Sequence, residues 1–434
     1  MRICARPAVV IGIIGAIGCG SDRPKAPHQQ LLGATTAKSP PAFVGAEKRN
    51  RVVWADAQRF YEQNGYQLVW SDGKRPRRVA ESLVRAIQAA ADDGLDPAHY
   101  DIDSLAFARE SFDPARAHEI DLHFTYGYLK LASHLARGSR SPQEISRTWR
   151  AADRGHDLVT NLQTTLKDGD IAEGLQPLVP QAPQYHRLRA ELAKGRQRGA
   201  SDAELRTLAI NLDRWRWMPD DLGPRYVFVN IPAFHLDVVE NSARVLEMRV
   251  VTGRKGDPTP VLADQMTHVV FSPFWNIPAS IVKEEILPKL KEDPDFLKRQ
   301  NMEMIGGSDG EDVRFRQRPG PRNALGLVKF MFPNNHNVYL HDTPADSLFN
   351  RMRRDFSHGC VRLERPVDLA KYVLRDQPEW TEERITTAMQ SGNERTVKLT
   401  QPIPVYLAYF TAWEEEGQLQ TYPDVYGHDA AQAP

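Results

Sequence analysis

Residues 341–363, HDTPADSLFNRMRRDFSHGCVRL, place two histidines and a cysteine within one short stretch of chain. Cys360 follows His358 by two residues and His341 by nineteen. A thiol attacks as its thiolate, so a nucleophilic cysteine needs a nearby base or electric field, and either imidazole is a candidate. Alternate side chains of an extended chain share a face, which would put His358 beside Cys360. A metal site, a redox thiol and an inert buried cysteine are the alternatives.

The residues around the cysteine add further chemistry. Gly359 lets the backbone approach a substrate closely, and the N–H groups of Gly359 and Cys360 are natural oxyanion donors if the chain turns there. His341 ends an apolar run, as expected for a side chain projected from a sheet edge into a cleft. The polar neighbours Ser357 and Arg362 argue against an apolar burial site for the thiol. The pattern therefore favours a cysteine nucleophile with a histidine base.

Only three cysteines are present, and the other two lie in the first nineteen residues. There a short apolar run closes with Ala16-Ile17-Gly18-Cys19, which resembles a bacterial lipobox. The resemblance implies a signal peptide at 1–18 and a lipid on Cys19, hence a periplasmic protein anchored to a membrane, the outer one in a Gram-negative cell. Simple cleavage to a soluble secreted protein is the alternative. Cys360 is then the one free thiol, which excludes an intramolecular disulfide and any metal site with two cysteines.

The chain of 434 residues has 56 basic and 56 acidic side chains, so no overall charge directs it to nucleic acid. Residues 19–45, with several prolines and small polar residues, predict a flexible tether. Apolar residues then recur at helical spacing, as in Val79–Ile87 and Ile120–Leu135. After residue 225 the period changes to two, as in Tyr226–Ile231. A helical first half is therefore expected before a β-rich second half.

A charged helical insert, Ile281–Arg299, interrupts the β pattern, and its Glu284 and Glu285 are expected to be solvated. The β pattern resumes at Val338–His341 and again at Pro404–Tyr409.

The motif Ser357-His358-Gly359-Cys360-Val361-Arg362, with His341 upstream, resembles the signature of the L,D-transpeptidases of peptidoglycan, which have a YkuD-type catalytic domain. Other segments resemble the large periplasmic YcbB-like branch of that family, among them residues 211–217, 274–278, 326–330 and 406–413. The resemblance implies an α+β protein with a helical scaffold domain at 46–210, a catalytic domain at 211–415 with a lid insertion at about 272–322, and a C-terminal tail at 416–434. That branch has a small peptidoglycan-binding module, for which the gap Ala193–Ala209 is too short.

By the same resemblance, Cys360 is the nucleophile and His341 is its general base. His358 is a positioning or substrate-contacting residue. Asp342 follows the base, and either its side chain or its backbone carbonyl orients the imidazole. The other residues expected to orient the site or contact substrate are Ser357, Arg362, Tyr339 and Trp275, of which the two aromatic residues are equally candidates for core packing. No cofactor and no metal are expected.

The implied reaction is the formation of 3→3 cross-links. The thiolate attacks the carbonyl of the third residue, diaminopimelate, of a tetrapeptide stem, and the terminal D-alanine leaves. A side-chain amine of a second stem then attacks the thioester. Carbapenems are expected to acylate Cys360. Attachment or release of wall-linked proteins, and hydrolysis or exchange of the terminal D-amino acid, remain alternative outcomes on the same site.

Two other classes of protein compete with this interpretation. A zinc hydrolase would use the possible ligands His336, His341, His358 and Cys360, although no HxxEH helix is present. A non-catalytic lipoprotein that binds wall peptide is the other class, and the pair of His341 and Cys360 argues against it.

Overall fold

The computed structural model describes residues 26–306 and 313–433, and it confirms the α+β class. The helices are α1 Pro27–Thr36, α2 Lys48–Gln63, α3 Arg78–Ala89, α4 Ile102–Glu110, α5 Ala117–Arg137, α6 Pro142–Ile145, α7 Leu158–Asp168, α8 Ile171–Leu175, α9 Pro183–Gln197, α10 Asp202–Trp215, α11 Ala279–Ile281, α12 Leu287–Glu292, α13 Phe296–Arg299, α14 Pro366–Leu374, α15 Glu382–Gln390 and α16 His428–Gln432. The strands are β1 Arg225–Asn230, β2 His235–Glu240, β3 Ala243–Gly253, β4 Leu262–Phe271, β5 Trp275–Asn276, β6 Met302–Gly306, β7 Arg314–Gln317, β8 Val328–Met331, β9 Leu340–His341, β10 Asp355–Ser357, β11 Val361–Leu363, β12 Arg395–Ala408, β13 Ala412–Glu415 and β14 Gln418–Thr421.

The helical half is built around α5, most of whose residues are buried. The helices predicted at Val79–Ile87 and Ile120–Leu135 are confirmed, since α3 and α5 contain them. On α5, the buried Asp121 accepts hydrogen bonds from the Tyr61 hydroxyl at 2.7 Å and from the Trp70 backbone N–H at 2.8 Å. Because a buried carboxylate requires such donors, these bonds fasten α2 and the turn after it to α5.

The segment predicted as a tether is folded where the structure describes it. Leu32 of α1 is fully buried, and Val44 is buried with its carbonyl accepting a hydrogen bond from the Tyr126 hydroxyl at 3.0 Å. Pro27 suits the first turn of α1, where its missing N–H needs no partner. The prediction of a tether is therefore wrong for residues 26–45, because apolar residues within the polar composition dock on α5. In the described ranges, no helix has both the length and the apolar character to cross a bilayer.

The second half is a sheet of nine strands in the order β10-β3-β11-β9-β8-β4-β12-β1-β2. Its inner face is apolar, and α14 and α15 cover it, with the Trp380 ring stacked on Phe271 at 5.0 Å. The strand predicted at Val338–His341 is shorter than expected, since Leu340–His341 alone forms β9. The short strands β9 and β11 are parallel neighbours inside the sheet. Each of these two strands is therefore paired with a neighbouring strand on both sides, which fixes the position of its residues.

The core of the helical half extends onto the sheet, and α10 joins the two halves. Trp215 on α10 stacks on Phe410 at 4.8 Å, and the buried Asn211 donates a hydrogen bond to the Thr411 hydroxyl at 2.9 Å. The predicted boundary between residues 210 and 211 falls within this helix. Residues 193–209 lie in α9, α10 and the turn between them, so they hold no additional module.

The predicted C-terminal tail, residues 416–434, is also folded where it is described. It contains β14 and α16, and the buried Gln432 donates a hydrogen bond to Asp213 at 3.2 Å. The buried Arg214 forms an ion pair with Asp429 at 2.7 Å. The tail prediction is wrong because these buried polar groups on α10 need partners, and α16 supplies them.

The insert between β4 and β8, called the lid below (residues 272–327), forms a small unit of its own. Strands β5, β7 and β6 pair in that order, and the helical segments α11, α12 and α13 pack on them. The buried side chains of this unit form an apolar cluster separate from the catalytic core: Ile277, Ile281, Val282, Ile286 and Phe315. Residues 307–312 of the lid lie outside the described residues.

Candidate active site

The parallel ladder of β9 and β11 brings the residues of the motif together. His341 is the register partner of Arg362, and Leu340 is the partner of Val361. Leu340 and Val361 are fully buried in the core, so the alternation of side chains places His341 and Arg362 on the opposite face. Cys360 precedes Val361, whose N–H donates to the carbonyl of Tyr339 at 3.1 Å. From strand spacing and rise, the Cα atoms of His341 and Cys360 are roughly 8 Å apart.

The imidazole of His341 is buried and oriented by the backbone. Its Nδ1 lies 2.5 Å from the carbonyl oxygen of Asp342, so Nδ1–H donates and Nε2 is left as the basic nitrogen. Burial and the positive charge of Arg362 lower the pKa of His341 to about 3. The imidazole is therefore neutral at neutral pH and can accept a proton.

The carboxylate of Asp342 does not contact the imidazole nitrogen through a described hydrogen bond. It accepts the N–H groups of Leu327 and Thr343, each at 2.7 Å. Gly326 makes this contact possible, because a Cβ there would lie 2.4 Å from the Asp342 carboxyl carbon. Of the two orienting groups left open above, the carbonyl orients the base and the carboxylate fastens the end of the lid beside it.

Cys360 is partly exposed, with its Sγ 3.8 Å from the carbonyl oxygen of Asn337. Burial raises the pKa of the Cys360 thiol, while hydrogen bonding to Tyr339 and the charges of Arg362 and Lys329 act in the opposite direction. Burial also raises the pKa of the Tyr339 hydroxyl. The resting site thus holds a neutral thiol and a neutral imidazole. The expectation that the imidazole ionises the sulfur applies to the reaction and not to the resting state.

The turn before the nucleophile is locked by two hydroxyl groups. Gly359 has φ +110°, and its N–H donates to Ser357 Oγ at 3.1 Å. Ser357 Oγ in turn donates to the Cys360 carbonyl at 2.5 Å, and Thr259 Oγ1 donates to the Gly359 carbonyl at 2.8 Å. Of the two N–H groups predicted to bind an oxyanion, the one on Gly359 is therefore already engaged. The N–H of Cys360 has no acceptor within the part of the chain that the structure describes.

The face that carries the cysteine is positively charged. Lys329 on β8 is the register partner of His341, so Lys329, His341 and Arg362 form a row across three strands. Burial lowers the pKa of both Lys329 and Arg362. The Nε of Arg362 is buried without a partner among the described residues. Such a row can bind a carboxylate of a substrate. No local pattern of residues indicates Lys329 as a site residue, because only its register with His341 places it in the site.

The two remaining predicted residues, His358 and Trp275, both involve the lid. His358 Nε2 lies 2.8 Å from a carboxylate oxygen of Glu285, so Glu285 has a partner in the catalytic domain while its side chain stays partly exposed. Trp275 is on β5 and packs against the apolar cluster of the lid. The structure thus gives His358 a lid partner and Trp275 a packing role.

The proposed zinc ligands do not form a metal-binding cluster in the described residues. The single group of three possible ligands found there is His235, Asp237 and Glu247 on the β2–β3 hairpin, with ligand atoms within 4.8 Å of one another. Arg244 forms ion pairs with both acids of that group. The guanidinium of Arg244 is thus a cation already paired with these two carboxylates.

Comparisons with known proteins agree with this fold. Residues 224–394 match the L,D-transpeptidase catalytic domain of the YkuD family, and residues 55–192 match a family described as a scaffold domain. A Haemophilus influenzae protein named "Putative L,D-transpeptidase" is 29% identical over 391 residues, which cover 86% of this chain and 77% of that protein. The chain therefore has a YkuD-type L,D-transpeptidase catalytic domain with a scaffold domain in front of it.

Two solved structures are also similar to the chain. The first is an L,D-transpeptidase from Mycobacterium smegmatis, with 14% identity, 42% of this chain and 58% of that chain covered, and a TM-score of 0.23. The second is L,D-transpeptidase 3 from Mycobacterium tuberculosis with a faropenem-derived adduct, with 15% identity, 43% and 60% covered, and a TM-score of 0.23. The match thus spans a little over half the length of each solved chain.

Proposed function

We propose that this enzyme forms 3→3 cross-links between peptidoglycan stems, with Cys360 as nucleophile and His341 as general base and acid. The observation that carries the proposal is the arrangement of these two residues. His341 lies on β9 and Cys360 directly precedes the neighbouring parallel strand β11 on the same face, with His341 Nδ1 held by the Asp342 carbonyl. A base oriented through one nitrogen and a nucleophile beside it are the pattern of covalent catalysis.

In the first half-reaction, the Cys360 sulfur attacks the carbonyl of the third residue of a tetrapeptide stem. The thiol proton passes to His341, which the neutral imidazole allows, and then to the leaving D-alanine as its C–N bond breaks. The N–H of Cys360 stabilises the oxyanion of the tetrahedral intermediate. The charges of Lys329 and Arg362 fit the carboxylates of the stem. The product is a thioester on Cys360.

In the second half-reaction, the side-chain amine of another stem attacks the thioester. A C–N bond forms and the C–S bond breaks, while the proton of the amine passes through His341 to the sulfur. Because thiolates also open strained lactams, we propose that carbapenems acylate the same sulfur. Cys19, the signal peptide and the lipid anchor form a separate proposal, in which the enzyme works in the periplasm at a membrane surface.

The test incubates the mature protein with disaccharide tetrapeptides that contain diaminopimelate and identifies products by mass spectrometry. Wild type yields dimers with loss of alanine, whereas Cys360→Ala yields none and His341→Gln is slowed by at least about 100-fold. His336→Gln serves as the matched control, since this exposed histidine lies outside the row. Tripeptides without dimers would indicate a hydrolase, and dimers from Cys360→Ala would refute the nucleophile.

A separate measurement tests the anchor. Metabolic labelling with a lipid precursor should label the wild-type protein in cells and not Cys19→Ala. Labelling of both proteins, or of neither, would contradict lipidation at Cys19.

A further inference from the structure

The lid contacts the loop of the nucleophile through one pair of polar side chains. Glu285 Oε1 lies 2.8 Å from His358 Nε2, and His358 is two residues before Cys360. Both side chains are about one-third exposed, at 37% and 31%. The pair therefore lies at the solvent-accessible margin between the lid and the catalytic face.

The local helix geometry places Glu285 on the side of the lid that meets the catalytic domain. It lies in the π-helical turn Val282–Ile286, between α11 and α12. Pro288 has no N–H to donate to the carbonyl of Glu284, which removes an ordinary helical hydrogen bond and favours the wider turn. Val282 and Ile286 are buried in the apolar cluster of the lid. Glu285 is outside this cluster, where its carboxylate contacts His358 at 2.8 Å and Lys289 of α12 at 4.0 Å.

The two ends of the lid attach it to the catalytic domain beside the base. Its own apolar cluster is separate from the core of the catalytic sheet. Its two ends meet where the N–H of Ser272 donates to the carbonyl of Leu327 at 2.9 Å. The same end is bonded to Asp342, beside the base. These bonds attach the lid next to His341, and the contact between Glu285 and His358 attaches it to the catalytic domain at a second place.

We propose that Glu285 is a positioning residue that determines the fate of the acyl-enzyme. This inference rests on the proposed function. In it, the contact of Glu285 with His358 holds the lid closed and keeps water from the thioester. The pair opens when a stem enters and re-forms around it. Amine attack forms a C–N bond, and hydrolysis forms a C–O bond. In both cases the C–S bond breaks and a proton from the nucleophile returns to sulfur, so exclusion of water decides between dimer and tripeptide.

The test measures the ratio of tripeptide to cross-linked dimer in wild type, Glu285→Ala and Glu292→Ala. Glu292 is a matched control, because it is exposed at the end of α12 in the same lid. The ratio should rise about three- to fivefold in Glu285→Ala, as expected for a partly exposed ion pair, and stay at the wild-type value in Glu292→Ala. Acylation of Cys360 by a carbapenem should be no slower in Glu285→Ala. An unchanged ratio, or an equal rise in the control, would overturn the proposal.

A double-mutant cycle tests whether Glu285 acts through His358. The ratio is internal to each variant, so it is insensitive to a lower total rate. His358→Ala and the double variant should both show the ratio of Glu285→Ala, since removing either partner breaks the same pair. Additive effects of the two substitutions would show that Glu285 acts by another route.

Hydrogen exchange tests the lid without substrate. In Glu285→Ala, amides of residues 279–292 should exchange faster than in wild type, while those of β4 and β12 should be unchanged. Unaltered exchange in the lid would refute the coupling. A wild-type protein that forms neither dimer nor tripeptide would refute the proposed function, and the exchange result would still decide whether Glu285 holds the lid.

Discussion

His341 and Arg362 are register partners on the parallel strands β9 and β11, so a permanent positive charge stands beside the catalytic base. With burial as the larger cause, this neighbour lowers the pKa of His341 to about 3. The same guanidinium also favours ionisation of the Cys360 thiol. Arg362 therefore keeps the base unprotonated and helps the nucleophile lose its proton, two effects that act in the same direction for catalysis.

Removing this charge should move the acid limb of the pH–rate profile. In Arg362→Met the pKa of His341 rises but stays below its ordinary value of 6.5, because burial remains. The value of kcat/KM at pH 4, relative to pH 7, should fall by about twofold or more compared with wild type. Arg365→Met, which removes an exposed arginine paired with Asp368, should leave the limb in place. A limb that stays fixed in Arg362→Met would show that Arg362 does not act on the base.

The depressed pKa of His341 also predicts acid sensitivity of the fold. Between about pH 3 and 6.5 the unfolded chain binds a proton at this position and the folded protein does not, so stability falls as the pH falls through this range. From pH 7 to pH 4.5 the loss should be about 2–3 kcal/mol from this residue. When His341→Gln is unfolded with urea at pH 7 and at pH 4.5, the stability that it loses between the two should be about 2–3 kcal/mol smaller than the loss in wild type. Equal losses would contradict the buried neutral imidazole.

Tyr339 should assist ionisation of the thiol. Because its hydrogen bonding opposes the burial that raises the pKa of Cys360, Tyr339→Phe should raise that pKa further. Alkylation of Cys360 by iodoacetamide at pH 8, read by peptide mapping, should slow by about two- to threefold. Tyr226→Phe, on β1, serves as the control and should react at the wild-type rate. Faster alkylation in Tyr339→Phe would mean that the hydroxyl shields the sulfur instead.

Asp342 should tolerate loss of its charge. Since the backbone carbonyl orients His341, Asp342→Asn should keep kcat within about tenfold of wild type and leave the pH profile unchanged. Asp342→Ala should cost about 1–3 kcal/mol of stability, because the N–H groups of Leu327 and Thr343 lose their acceptor. A fall of about 10⁴-fold in Asp342→Asn, as for a triad carboxylate, would show that the side chain orients the base after all.

Patterns of neighbouring residues predicted several helices and strands, whereas contacts between distant segments were not predictable from the sequence. Apolar residues at helical spacing predicted α3 and α5, and alternation predicted β1, because each pattern depends on neighbours in the chain. The predictions of a flexible tether at residues 26–45 and of a tail from residue 416 onwards were wrong. In both segments a few buried residues, such as Leu32 and Gln432, decide the structure by contacts with distant helices.

The sequence by itself determined the chemistry that is available: one thiol outside the first nineteen residues, two histidines within the nineteen residues before it, and a glycine directly before it. Only the tertiary structure decided how these groups act. The register of β9, β11 and β8 places Lys329 and Arg362 beside His341, and the fold of the lid carries Glu285 to His358. Such contacts depend on strand order and packing between segments far apart in the chain, which no local pattern of residues specifies.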